Sequence, residues 1–283
     1  MIEIAILLVL GSGLLHSVWN LFTKKSLNKN VFLWTIHLFS SALLLPYLWT
    51  EFDRHPLEPE GYTLLGISFM FQIGYIFLLS KAYQYGEMSQ VYPMMRGLGA
   101  LLVPVCSVLL FQESLSAIGW FGLGLIVLGL FTIAFYRMDP KNMPVKAITA
   151  AVGVGVCITG YTLTDKTIME QGHMTPLALL EISNLSYVIA LLIPALTSRQ
   201  IKQEWVRNWK LILAGTFCSP GSYFLFLLSM NIAPLSHISP IREIGTVFGT
   251  LFGIWLLKEQ QGFMRVTMSA CIALGIISIG IWG

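Results

Sequence analysis

VYPMMRGLGALLVPVCSVLLFQES, residues 91–114, and ISPIREIGTVFGTLFGIWLLKEQ, residues 238–260, place Pro, Arg and Gly in the same order in an apolar run that ends at a glutamate. Each run is long enough to cross a bilayer, which needs about twenty apolar residues in a helix. Similar windows recur at 4–23, 31–50, 62–81, 89–111, 117–136, 145–165, 177–197, 209–228, 238–257 and 263–282. With 55% hydrophobic and 11% charged residues in 283 positions, a soluble globule would lack the polar surface to stay in solution. Lipid leaves no partner for exposed peptide groups, so ten such runs joined by short turns are helices and the fold is an all-α membrane bundle. The loops are too short to build a soluble domain, which puts function inside the bundle. The first run has no basic leader and no convincing cleavage site, and is expected to be a retained span.

The two quoted stretches are part of a longer repeat. A shift of 142 positions lays Gly11, Gly13 and Lys24 over Gly153, Gly155 and Lys166. Farther on, Ser89 and Pro93 fall on Ser236 and Pro240. After a one-residue slip, Arg96, Gly99, Glu113 and Gly129 fall on Arg242, Gly245, Glu259 and Gly275. The expected units are 1–138 and 139–283, with five spans each. Five is odd, so the second unit enters the membrane from the other side and the repeats are inverted. Inverted repeats can exchange inward-open and outward-open shapes around a site near the midplane.

Loop charge sets an expected orientation. One face collects Lys24, Lys25, Lys29, Lys81, Arg137, Lys141, Lys146, Arg199, Lys202, Arg207, Lys210, Lys258 and Arg265, the other Arg54 and Lys166. Positive loops stay cytoplasmic, which places both termini outside, with the acidic loop of Glu51, Asp53, Glu58 and Glu60.

The two halves and the paired segments at 91–114 and 238–260 resemble the ten-helix, EamA-type members of the drug/metabolite transporter superfamily over essentially the whole chain. Glu113 and Glu259 stand where a glutamate commonly closes the fourth helix of each half in that family. The resemblance implies a secondary transporter of the inner membrane, often an exporter of metabolites, amino acids or drugs, with a central cavity between the halves. Members with termini inside are familiar, and the loop charge here departs from that pattern.

Charged and polar residues within spans need a reason, since an arginine at a helix centre costs about 2.5–3.5 kcal/mol on insertion scales. Arg96 and Arg242 occupy repeat-equivalent positions; either they bind an anionic group through the planar guanidinium fork, or they form internal ion pairs that lock the bundle. Glu243 cannot face its neighbour Arg242 on a helix, so it is a proton-coupling candidate or it pairs across the halves with Arg96. His16, His37 and Glu181 are further proton-coupling candidates, against a plain packing role for the histidines. Asn20 lies four residues after His16, Tyr75 three after Gln72, and Asn184 three after Glu181, so each pair projects from one helix face. Asp165 is polar near the end of the sixth span. Trp19, matched to Tyr161 by the repeat, joins Tyr75, Tyr83, Tyr92 and Tyr223 as a candidate cavity aromatic. Trp34, Trp49, Trp120, Trp205, Trp209 and Trp282 are assigned to the interfacial belt. Gly245, Gly249 and Gly253 form a GxxxGxxxG ridge for close helix packing within the bundle, with homodimerisation as the alternative to a monomer. Pro93, Pro104, Pro220 and Pro240 can kink their helices.

The functional expectation is secondary transport of a small polar metabolite with an anionic group (an amino acid, organic acid or phosphonate-like compound) by alternating access. Substrate binding falls to Arg96, Arg242, Trp19, Tyr161, Tyr75, Tyr223, Gln72 and Asn20. The expected partners are a small-molecule substrate, the lipid bilayer and a coupling proton; nothing points to nucleic acid. The alternative is a multidrug or lipophilic-cation exporter, and after that a non-transporting scaffold. An enzyme is not expected: no HExxH or Ser/His/Asp arrangement is recognisable. No GxxxxGK[ST] loop occurs, and Cys106, Cys157, Cys218 and Cys271 form no CxxC pair, so no cofactor or metal is expected.

Overall fold

The computed structural model describes residues 2–86, 88–136, 145–255 and 262–283, with side chains of the fourth helix described from Val91 onward. Regular structure among them is helical: α1 (Ile2–Lys25), α2 (Lys29–Arg54), α3 (Pro59–Tyr85), α4 (Met88–Leu110), α5 (Ala117–Phe135), α6 (Val145–Glu170), α7 (Pro176–Thr197), α8 (Ile201–Ile232), α9 (Leu235–Ile241), α10 (Ile244–Trp255) and α11 (Phe263–Trp282). Nine of these are long and apolar enough to cross a membrane. The expected ninth span is divided, with α9 and α10 meeting at Arg242 and Glu243. Local chemistry sets several helix starts. The Asn28 side chain accepts from the amides of Asn30 and Val31, Ser116 from Gly119 and Thr175 from Ala178, while Pro59 and Pro176 sit in first turns, where no amide is needed.

Packing obeys a two-fold exchange of the halves. Helix α3 lies along α6 as α8 lies along α1; α4 packs on α6 as α10 packs on α1; α2 pairs with its counterpart α7, and α5 with its counterpart α11. The bundle is therefore two inverted five-helix repeats. The junction expected between 138 and 139 and the glutamate expected at Glu259 lie outside the described residues, as do Arg137, Lys141, Lys258 and the side chain of Ser89.

Polarity is reversed from that of a water-soluble fold. Leu7, Leu43, Trp49, Phe121, Phe217 and Phe263 are exposed, as acyl chains require, whereas Ser12, Gln72, Asp165, Glu181 and Ser229 are wholly buried. The interior is held by small residues and hydroxyls. Ser12 and Ser222 each donate to the other's carbonyl, at 2.7 and 2.8 Å, clamping α1 to α8. Gly122 of α5 and Gly275 of α11 face each other's carbonyl oxygens so closely that neither position has room for a Cβ. Trp34, expected at the interface, is instead buried, because its helix face packs into the bundle.

The break in the ninth span has a local cause. Pro240 supplies no amide, and the next hydrogen bonds tighten to three-residue steps: Glu243 to Pro240 at 3.0 Å, Gly245 to Arg242 at 3.2 Å and Thr246 to Glu243 at 2.8 Å. The gap falls where the second repeat is one residue shorter between proline and arginine; α4, with Pro93 and Arg96, runs through. Gly13 of α1 lies against the break, and the Ser17 hydroxyl donates to the Gly245 carbonyl at 2.6 Å. Glu113, in the loop after α4, caps α9 from the other half by accepting the amides of Leu235 and Ser236 at 2.8 and 2.7 Å and the Ser107 hydroxyl at 2.7 Å. Burial pushes the Glu113 carboxyl up, but these hydrogen bonds outweigh it and hold it below the ordinary carboxylate range.

Candidate functional site

A series of neighbouring spaces that share lining residues lies within the bundle. A partly open vestibule of about 370 Å³ is lined by residues that include Ser17, Asn20, Lys24, Tyr92, Gly249 and Arg265. Lys24 ends α1 and Arg265 begins α11, so this vestibule opens toward the lysine-rich face. Asn20 and Tyr92 also border a compartment of about 20 Å³ that contains His16, Trp19, Tyr83 and Arg96. From there His16, Trp19, Tyr75 and Arg96 continue into an inner chamber of about 50 Å³ with His37, Tyr161, Tyr187, Tyr223 and Arg242. The vestibule has the size of a small-molecule site, which begins at roughly 300 Å³, while the inner chamber is contracted to the room of a few water molecules. His16 Nε2 and the Tyr92 hydroxyl, 3.1 Å apart, stand between the two.

The arginines have unequal surroundings. Arg96 forms a two-point ion pair with Glu243 across the halves, through Nε at 3.1 Å and through a second, shorter contact at Nη2. The helix break makes this possible, because the turn at 242–243 aims Glu243 toward α4 and Arg242 toward α8. Arg242 is only 8% exposed, its Nε has no hydrogen-bond partner, and among the described residues no carboxylate lies within ion-pair distance of it. Its guanidinium carbon lies 4.2 Å from the Phe226 ring centroid and 5.7 Å from that of Tyr223. Ring faces temper the charge of a buried cation without consuming its hydrogen-bond donors.

An aromatic wall continues from there. Tyr161 meets Tyr75 at 5.8 Å and Tyr223 at 6.0 Å between centroids, nearly perpendicular in both cases, and Tyr187 lies 5.9 Å from Tyr75. Trp19 is edge-on to His16 at 5.0 Å. Behind this wall run two polar networks. His37 Nδ1 contacts Asn184 Oδ1 at 2.9 Å, its Nε2 lies 3.3 Å from the Ser219 hydroxyl, and Asn184 donates to Ser40 and Glu181 at 3.2 Å each; Ser41 also donates to Glu181. In the second network, Asp165 accepts from the hydroxyls of Ser68 and Tyr223, and Gln72 donates to Ser68 at 3.2 Å.

The sequence-derived candidates thus fall into separate groups. Arg96, Arg242, Trp19, Tyr75, Tyr161, Tyr223, His16 and His37 line the chamber. Asn20 lines the vestibule and donates to the His16 carbonyl at 2.7 Å. Gln72 and Glu181 lie behind the wall, and Glu243 is spent on Arg96. Tyr187 is the residue sequence reasoning missed; its position three after Asn184, on the same helix face, was the available signal. The glycine ridge is divided as well: Gly245 packs on Gly13, whereas a Cβ at Gly249 would meet open space in the vestibule.

Fold and site together define a polytopic helical membrane protein whose inverted repeats enclose a polar, aromatic-lined passage. The chain belongs to the EamA-like transporter family, whose sequence model matches residues 3–135 and 145–281. It is accordingly a membrane transporter of the drug/metabolite type, with a small-molecule substrate and a bilayer environment. A solved crystal structure superposes with a TM-score of 0.74 at 16% identity, covering 99% of this chain and 99% of its own, a likeness of fold. No curated protein matches the sequence.

Proposed function

We propose that the chain is a secondary active transporter of a small polar metabolite bearing an anionic group, an amino acid, organic acid or phosphonate-like compound, and that it works by alternating access. One observation carries this reading: Arg242 lines the chamber with its Nε unpartnered and no carboxylate within ion-pair distance among the described residues, while the adjacent Glu243 is engaged by Arg96. A planar guanidinium held against aromatic rings is suited to fork a carboxylate or phosphonate. A lipophilic cation would find the same tyrosines, but would meet the positive charge of Arg242 at closest quarters. In this reading Tyr75, Tyr161, Tyr223 and Trp19 pack the body of the substrate. Asn20 receives it in the vestibule, and Gln72 braces the wall through Ser68. Of the proton-coupling candidates named from the sequence, His16 and His37 line the chamber, Glu181 lies behind the wall, and Glu243 would have to leave Arg96 to take part.

From loop charge we infer that the vestibule faces the cytoplasm of a bacterial inner membrane, with both termini outside. A monomer is the working unit, since Gly245 already has an internal partner. The two repeats, 1–138 and 139–283, would rock against each other to widen the contracted chamber.

The test is transport by the full chain in proteoliposomes, after a thermal-shift screen of glutamate, aspartate, malate and methylphosphonate. Wild type is expected to be stabilised by, and to exchange, at least one of these solutes. Arg242→Ala is expected to abolish both effects while the protein stays folded. Equal transport by wild type, Arg242→Ala, Arg96→Ala and Glu243→Gln would reject the site.

A further inference from the structure

Asp165 lies five residues from the end of α6, toward the face opposite the vestibule, and is wholly buried. Its charged and titratable surroundings can be followed helix by helix. From α3 come Ser68, which donates to it, and Gln72, which donates to Ser68. From α8 comes the Tyr223 hydroxyl, which also donates. The cation of α4, Arg96, is held by Glu243. On α6 itself, Tyr161 lies one turn back, and Lys166 turns away to the Met230 carbonyl at 2.6 Å and to Glu170 at 3.0 Å. A negative charge at Asp165 is therefore shielded from bulk solvent and has no counter-charge within ion-pair distance among the described residues, a placement that in membrane bundles marks ion and proton pathways.

Both partners of the carboxyl are hydroxyls, which donate to a carboxylate and accept from a carboxylic acid. The pocket can thus hold its hydrogen bonds in either protonation state. Tyr223 also has a second contact, since its ring lies beneath the Arg242 guanidinium. One side chain touches both the buried acid and the unpartnered cation.

We propose that Asp165 binds the proton of the transport cycle and that Tyr223 links its protonation to the Arg242 end of the chamber. This rests on reading Arg242 as the anion-binding group. When Asp165 is a carboxylate, Ser68 and Tyr223 both donate to it. When a proton from water forms the acid O–H on the carboxyl oxygen facing Tyr223, that hydrogen points to the phenol oxygen, Ser68 goes on donating to the other carboxyl oxygen, and the Tyr223 hydrogen is released to turn toward the chamber. An anion at Arg242 and a proton at Asp165 then favour each other, and the two cross together. The device is present in one half alone. The repeat counterpart of Asp165 is Thr23, whose hydroxyl donates to the Trp19 carbonyl at 2.9 Å. Glu181 is a buried carboxyl too, but Asn184, which joins it to the chamber, has no contact with Arg242 among the described residues.

The experiment uses the full chain in liposomes. An infrared pH titration should show a protonated-carboxyl carbonyl band that grows on acidification in wild type, is lost in Asp165→Asn and persists in Glu181→Gln. With the same four solutes as probes, Asp165→Asn should keep solute exchange and lose accumulation driven by a pH gradient, with partial return in Asp165→Glu. An unchanged infrared band in Asp165→Asn, or pH-driven accumulation equal to wild type, overturns the proposal. If no solute is exchanged by wild type, the anion-binding reading of the chamber fails, while the infrared result still decides the proton site.

Discussion

Two arginines and one glutamate share the middle of the bundle, and the geometry of their three side chains divides the work between structure and recognition. Glu243 is buried, Arg96 is largely so with its side chain 11% exposed, and the two are bound to each other at two points. Removing one partner strands the other charge, so Arg96→Ala is expected to destabilise the chain by about 3–5 kcal/mol, whereas replacing both with methionine should recover most of that loss. Thermal unfolding of the single and double variants in detergent, read as a double-mutant cycle, checks this. Arg242 predicts differently. Arg242→Lys keeps the charge but loses the planar fork and its contact with the Phe226 ring, so stability should change little while anion recognition weakens at least about ten-fold, the equivalent of 1.4 kcal/mol. All three residues were visible in the sequence, because charge in an apolar run announces itself. The pairing of Glu243 with Arg96 was one of two readings the sequence left open, and where a turn aims Glu243 decides between them.

Helix α9 shows how one element borrows its stability from another half of the molecule. With seven residues it is too short to stand alone, and the side chain of Glu113 holds its first amides. Glu113→Ala should cost about 0.5–2 kcal/mol, the usual loss of a helix cap. The pH dependence has a definite sign. Because the folded Glu113 carboxyl is held below its ordinary value near 4.3, its contribution is fully present above that pH and is lost as pH falls through the depressed value. Wild type should therefore lose thermal stability on acidification below about pH 4.3, and Glu113→Gln should lack that part of the decline. Elsewhere, Gly122→Ala or Gly275→Ala should force α5 and α11 apart and destabilise by about 1–3 kcal/mol in the same assay, the cost of overpacking a tight contact. Helix positions were legible from hydropathy alone. The break at 242–243 was not, although Pro240 and the one-residue slip both lay at the spot, because neither excludes a continuous kinked helix such as α4.

At the scale of the molecule, the two halves form a passage that is wide at the lysine-rich face and contracted at its centre. Cysteine placed at Lys141 should label from the cytosolic side and cysteine at Glu58 from the outside in right-side-out vesicles; the reverse pattern would invert the orientation. If the repeats rock as proposed, Tyr92→Phe, which removes the contact with His16, should ease passage between vestibule and chamber, measurable as faster exchange under equal solute on both sides.

Membrane residence, the helical fold and its inverted duplication follow from the sequence by itself, since a bilayer admits few solutions for a chain of long apolar runs and an odd number of spans per repeat inverts the second. Tertiary structure alone decided that Glu243 belongs to Arg96, that Glu113 caps the opposite half, and that Tyr223 joins Asp165 to Arg242. Each of these is a contact between residues far apart in the chain, and hydropathy and spacing carry no record of which distant side chains a folded bundle brings within hydrogen-bond reach.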